Sequence, residues 1–209
     1  MENAKCCYPG SSLAEFDPLP LSTSFSRTLE LQSATQKYKG IELEEYVRKQ
    51  VSRFVIQLNV LACYLGEVCT YSSCPQMTAT KDVLYLCAAH EVAKECCAID
   101  YISHCLDGAT SLLTSEDVMS HSSLGKNQEV NLQPFRVIMR RLYRLFAHAY
   151  FHHIDTFKRF EQETELFDHF CTFATSFNLI SSADMLVPID FASVKGNSVD
   201  SGNGGGGQG

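Results

Sequence analysis

Two separated groups of residues could bind a metal ion. Cys69 and Cys74 bracket the short string Thr-Tyr-Ser-Ser, and His148, His152 and His153 end the segment PFRVIMRRLYRLFAHAYFHHI, which runs from Pro134 to Ile154. Two thiolates and two neutral imidazoles complete a tetrahedron around Zn2+ and cancel its charge. The C-x4-C loop is short enough to bring both sulfurs onto one ion. On helical geometry alone the nitrogens come from His148 and His152, because residues four apart share a helix face. His153 lies five from His148, about 140° around an ideal helix, and reaches the same ion only at a helix end or a distortion. Such a set leaves no open position for water, so its role is structural. The plainer alternative is core cysteines and a polar helix end.

The same segment is basic in a chain of formal net charge -7. No Asp or Glu lies between Glu129 and Asp155, whereas Arg136, Arg140, Arg141 and Arg144 all do. Arg136, Arg140, Arg144 and His148 repeat every four residues, and Arg141 is three from Arg144. A planar guanidinium offers parallel donors to phosphate oxygens, so a phosphorylated Ser or Thr would find two or three partners here. The plainer alternative is a solvated face balanced by Glu161, Glu163 and Glu165. The acidic balance and the absence of Trp argue against nucleic acid as the target of these arginines. Two catalytic arrangements were weighed against these readings. A metallohydrolase on His148, His152 and Asp155 lacks the Glu that HExxH places inside its histidine pair. A nucleophilic Cys87 or Cys96 with His90 as base has no local signature.

These groups must be positioned by helices. With 209 residues, 45% of them hydrophobic and 13 of them Phe, the chain can build one substantial core. Residues 1–40 show no sustained period and read as an N-terminal arm. From Glu42 onward, Leu43, Val47, Val51, Phe54, Leu58, Leu61 and Leu65 mark one face of a helix of roughly six or seven turns. Val83–Ala89 and Lys94–Ile99 read as two brief strands of a hairpin. A helix follows over Asp100–Leu113, with Ile102, Cys105, Leu106, Ala109 and Leu113 inward. Residues 114–133 read as a long surface loop. A third helix starts near Pro134, with Phe135, Ile138, Leu142, Leu145, Phe146 and Ala149 on its core face, and a further one starts from about Glu163 with Leu166, Phe170, Phe173 and Phe177. The Gly-rich stretch 193–209 reads as a disordered tail.

No signal peptide or transmembrane span is evident, since the apolar run near Val55–Gly66 is interrupted by Gln57 and Asn59. The ten cysteines are therefore expected to be reduced, with a few serving as metal ligands. Cys6 and Cys7 could be palmitoylated, although no second anchor lies beside them.

The strings QMTAT, LCAAH, KEC-x-AIDY, H-x-LDGA, RRLYRLFAHAYFHH and FNLIS resemble the Mob family, and within it the striatin-associated, phocein-type branch. The resemblance extends from about Glu45 to Pro188. It implies a mainly α fold, a helical bundle with a small β-hairpin and one structural zinc, over a domain of residues 41–192. It places the Zn2+ ligands on Cys69, Cys74, His148 and His153, replacing the choice of His152, and a phosphopeptide pocket on Arg140, Arg141 and Arg144. It further implies a non-catalytic, cytoplasmic adaptor in a striatin-containing phosphatase and kinase assembly. There it would bind a germinal-centre kinase through a phosphothreonine segment, with peripheral association at Golgi or other endomembranes left open. The alternative within the same resemblance is a zinc-stabilised scaffold that binds the striatin-type subunit without reading phosphate. Arg144→Ala is expected to weaken phosphopeptide capture without unfolding the domain. The first 40 residues, the loop 114–133 and the Gly-rich tail depart from the family pattern.

Overall fold

The computed structural model describes residues 41–115 and 131–188, so the arm, most of the 114–133 loop, the tail, Cys6 and Cys7 lie outside it. Five helices follow in order: α1 (Ile41–Gly66), α2 (Ala98–Thr114), α3 (Gln133–His152), α4 (Ile154–Thr164) and α5 (Leu166–Ser176), then a single 3₁₀ turn over Ser182–Asp184. Glu42 and Glu44 sit in the first turn of α1, where carboxylates complement the positive end of the helix dipole. Its apolar stripe is buried as its spacing requires: Val47, Val51, Phe54, Leu58, Leu61 and Leu65 are all inside.

The other four helices all pack on α1. α3 opens with Pro134 in its first turn, where the missing N–H leaves no bond unmade. From Leu142 onward it is buried almost all round, including Leu145, Phe146, Ala147, His148 and Ala149. Aromatic edges lock the bundle. Phe54 of α1 meets Phe170 and Phe173 of α5 with ring centroids 5.2 and 5.4 Å apart, and Phe146 of α3 meets Phe167 at 5.3 Å. Such edge-to-face pairs contribute about 0.5–1.5 kcal/mol each beyond the area they bury.

Three expectations are corrected here. The helix expected from about Glu163 is α5, starting at Leu166, and a helix not expected, α4, precedes it from Ile154 and packs Phe157 and Phe160 inward. The break between them is Glu165, at a left-handed φ of 49°. The hairpin is not formed either. Among the described residues there are only isolated bridges, Thr78 with Leu84 and Cys87 with Lys94. The pairing changes partner too soon to make a ladder: Ala79 and Met77 bond to Val83 and Tyr85, Cys87 bonds to Lys94, and the Cys96 carbonyl then returns to Met77 N–H at 3.1 Å. The last residues of the expected second strand, Ala98 and Ile99, belong to α2. Finally, seven described cysteines are free thiols as expected, but Cys63 is in a disulfide.

Candidate metal centre and arginine face

α1 runs directly into the first pair of ligands. Cys69 N–H still bonds to Leu65 C=O at 2.6 Å, so its thiol is presented from the frayed end of the helix. Thr70 and Ser73 then brace the loop reciprocally. Thr70 N–H donates to Ser73 Oγ at 2.8 Å, Ser73 N–H donates to Thr70 Oγ1 at 3.1 Å, and Cys74 N–H closes onto Thr70 C=O at 2.9 Å. The result is a rigid knuckle that turns both sulfurs inward, with Cys69 and Cys74 buried.

The histidines come from the end of α3. His148 Nε2 lies 3.5 Å from Cys69 Sγ, and His153 Nε2 lies 3.3 Å from Cys74 Sγ. All four donor atoms fall within 4.8 Å of one another. Bond lengths of about 2.3 Å to sulfur and 2.0–2.1 Å to nitrogen place S and N about 3.6 Å apart around a tetrahedral Zn2+, so the residues fit the ion. The five-residue spacing is accommodated because His153 is no longer helical. At φ -135° and ψ 49° it is both the last cap of α3 and the first of α4. His152 points elsewhere, its Nε2 2.9 Å from the hydroxyl of Thr78.

Protonation is arranged to suit a metal. His148 Nδ1 lies 2.8 Å from the carbonyl of Thr78, which can only accept, so Nδ1 carries the proton and Nε2 keeps its lone pair. Burial pushes His148 down to about 4, with the Thr78 carbonyl acting in the other direction, so the imidazole is neutral at physiological pH. Burial, and then the neighbouring Cys74, push the Cys69 thiol up to about 12. A divalent cation between the sulfurs reverses that logic, because the thiolate is the ligand.

The arginines divide into two kinds. Arg144 is half-buried, donates to the Tyr101 hydroxyl of α2, and lies over the Tyr85 ring 4.8 Å from its centroid. Arg141 passes beside Gly108 of α2, where a methyl group would sit 4.0 Å from its Nη1. Arg140 is exposed, with Nε 3.3 Å from the Arg136 carbonyl one turn back. Arg136 itself is tied to the Asn178 carbonyl at 3.1 Å. Two carboxylates proposed as a balancing face are engaged elsewhere. Glu161 is buried and accepts from Phe167 N–H at 2.8 Å and Asp168 N–H at 3.1 Å, and Glu163 accepts from the Tyr64 hydroxyl at 3.2 Å. The arrangement therefore sets Arg144 and Arg136, tied to other elements, beside an exposed Arg140 that bonds within its own helix. Arg144→Ala would remove contacts between α3 and Tyr101 of α2 and Tyr85 as well as a charge.

The catalytic alternatives lose their geometry. His148 and His153, not His152 with Asp155, face the cysteines, and four protein donors occupy a tetrahedron completely. Cys96 does meet His90, with Sγ 3.0 Å from Nε2, but burial raises its thiol, the reverse of what an activated nucleophile needs. Sequence reasoning missed that Cys87 and His104 join this pair, so that Cys87, His90, Cys96 and His104 form a second group of converging donors. The legible signal was Cys87-x2-His90 followed by Cys96-x7-His104.

A helical domain in which two cysteines at the end of its longest helix and two histidines at the end of a basic helix converge as a group able to hold a metal ion defines a class of Cys2His2 helical bundle; no helix among the described residues is long and apolar enough to cross a bilayer. The profile of the Mob1/phocein family matches residues 23–188, and the chain belongs to that family. It is 43% identical over 153 residues to MOB kinase activator-like 4 of Drosophila melanogaster, covering 73% of this chain and 66% of that protein. It is 38% identical over 173 residues to the MOB-like protein phocein of Caenorhabditis elegans, covering 83% and 72%. MOB kinase activator 3A of Mus musculus is 27% identical over 168 residues, covering 78% and 77%.

Proposed function

We propose that this chain is a non-catalytic adaptor that works within a cytoplasmic striatin-containing phosphatase and kinase assembly. It captures a germinal-centre kinase by a phosphothreonine segment bound at Arg140, Arg141 and Arg144. The observation that carries this reading is the division of labour among the arginines. Arg144 is oriented by Tyr101 and Tyr85 and Arg141 lies along α2 beside Gly108, so part of the ordering entropy is already met before a ligand arrives. Arg140 is exposed and can swing onto a phosphate. The names of the relatives, kinase activator-like in the fly and kinase activator in the mouse, support a kinase as partner. Structural Zn2+ on Cys69, Cys74, His148 and His153 would hold α1 against α3 and so fix the helix that bears the arginines.

The mechanism is charge-assisted capture, so binding depends on phosphorylation and weakens as salt rises. Calorimetric titration with matched phosphorylated and unphosphorylated threonine peptides from a germinal-centre kinase tests it, with Arg140→Ala as the variant that leaves the brace intact. Binding of the phosphorylated peptide alone, weakened about tenfold or more in the variant, is the expected result, since each charge-assisted bond contributes about 1.5–3 kcal/mol. Equal binding of both peptides, or of neither, overturns the phosphate-reading role and leaves a scaffold for the striatin-type subunit.

A further inference from the structure

The segment between the Cys69–Cys74 knuckle and α2 has very little regular structure to hold it. Its backbone forms two isolated bridges, and Leu84, Leu86 and Val92 are exposed along it. A stretch so poor in buried apolar surface and ladder bonds needs some other fixture to keep one conformation.

Four soft or borderline donors converge there from three separate pieces of chain. Cys87 is placed by its bridge to Lys94, with N···O distances of 2.7 and 3.2 Å in the two directions. His90 lies in the turn that this bridge closes. Cys96 follows the bridge, and His104 projects from α2. Cys87 Sγ is 3.4 Å from His104 Nδ1, Cys96 Sγ is 3.0 Å from His90 Nε2, and all four donor atoms lie within 4.8 Å of one another. The two imidazoles stand at 88° with centroids 5.0 Å apart, so neither ring stacks over the other. Both S···N separations lie a little inside the roughly 3.6 Å that tetrahedral bonding of sulfur and nitrogen to Zn2+ would set, so an ion would need the pairs to open only slightly.

We infer that Cys87, His90, Cys96 and His104 form a second structural metal site, selective for Zn2+ or a similar tetrahedral, thiophilic divalent cation. Two thiolates and two neutral imidazoles neutralise the ion, and four protein donors leave no position for water or substrate. Thiol-to-imidazole hydrogen bonds alone would satisfy each pair separately. They give no reason for the two pairs to meet at one point beneath an otherwise thinly supported turn. Bound metal would staple residues 87–96 onto α2.

The two sites would also sense one another. Ala98 N–H bonds to the Cys74 carbonyl at 3.0 Å, and Met77 N–H bonds to the Cys96 carbonyl at 3.1 Å. A ligand of each set is thereby tied by backbone to the strip of chain that carries the other.

Metal content decides the question. Full-length protein produced with added Zn2+ and passed through gel filtration is measured by native mass spectrometry and elemental analysis, then again after replacement by Co2+. Two ions per chain are expected, falling to one in Cys96→Ser and in His90→Asn, with the thiolate-to-cobalt charge-transfer absorbance falling by about half. His90→Asn alters a residue in the surface turn, and the count in unmodified protein needs no variant at all, so misfolding of Cys96→Ser does not blunt the test. One ion per chain in unmodified protein, two ions retained in both variants, or a Cys87–Cys96 disulfide in protein purified under reducing conditions would overturn the assignment. The result is independent of phosphopeptide binding, so either reading can fail alone.

Discussion

His152 turns its Nε2 to the hydroxyl of Thr78 at 2.9 Å, away from the cysteines that His148 and His153 face. Thr78 serves both neighbours, because its carbonyl also holds His148 Nδ1 at 2.8 Å. Thr78 thereby helps sort the three histidines into two that face the cysteines and one that does not.

The sorting predicts opposite outcomes for neighbouring substitutions. His153→Asn should abolish tight Zn2+ retention at the Cys69–Cys74 centre, whereas His152→Asn should leave the bound ion in place and lower its affinity by no more than about 10–100-fold, the range for altered outer-shell partners. Competition with a chromogenic chelator measures both. Equal loss in the two variants would contradict the geometry.

Removing metal should loosen the whole bundle. The centre links the end of α1 to the end of α3, and binding energy at such a site is folding energy. Chelator-treated protein is expected to unfold more than about 10 °C below the metal-loaded form in calorimetry. Retention should also weaken on acidification from neutral pH, because protons compete for thiolates and imidazoles. An unchanged transition after verified metal removal would show that the core alone suffices.

Arg140→Ala and Arg144→Ala should separate charge from structure. Arg140 is exposed, so its loss should shift unfolding by no more than about 0.5 kcal/mol. Arg144 gives up a hydrogen bond to Tyr101 and a cation–π contact with Tyr85, together about 1–3 kcal/mol. Urea titration of the two variants reads the difference, and similar midpoints would mean that Arg144 is not a brace.

Glu161 is a buried carboxylate that accepts the first free backbone N–H groups of α5. Glu161→Gln keeps the shape but removes the charge and one acceptor oxygen, and should destabilise the domain by about 1–3 kcal/mol. A midpoint within error of the unmodified protein would show that α5 is capped by other means.

The sequence made the long apolar periods legible, since the α1 stripe from Val47 to Leu65 and the α3 face from Phe135 to Ala149 are buried at the spacings that predict them. Metal ligands were readable as residue types but not as partners. Helical spacing favours His152; the family resemblance points to His153 instead, and the break there, invisible in a string without Pro or Gly, is what brings its imidazole to Cys74. α4 was obscured because it offers only Phe157, Phe160 and Glu161 to the core amid charged neighbours. No hairpin ladder forms among the described residues because, apart from the single Cys87–Lys94 bridge, the backbone bonds of Val83, Tyr85 and Cys96 go to Ala79 and Met77. The Cys87, His90, Cys96 and His104 group is hidden in the string because its spacing does not show that the Cys87–Lys94 bridge and the first turns of α2 bring its two halves together.

His153 has one further consequence. The string AYFHHIDTF contains no residue that would stop a helix, yet α3 ends and α4 begins inside it, at the residue whose imidazole faces Cys74. A metal held by His153 and Cys74 would fasten the bend that local backbone preference does not dictate. Without such an ion, α3 and α4 would be freer to fuse into one unbroken rod, and the domain would gain helix locally while losing its shape.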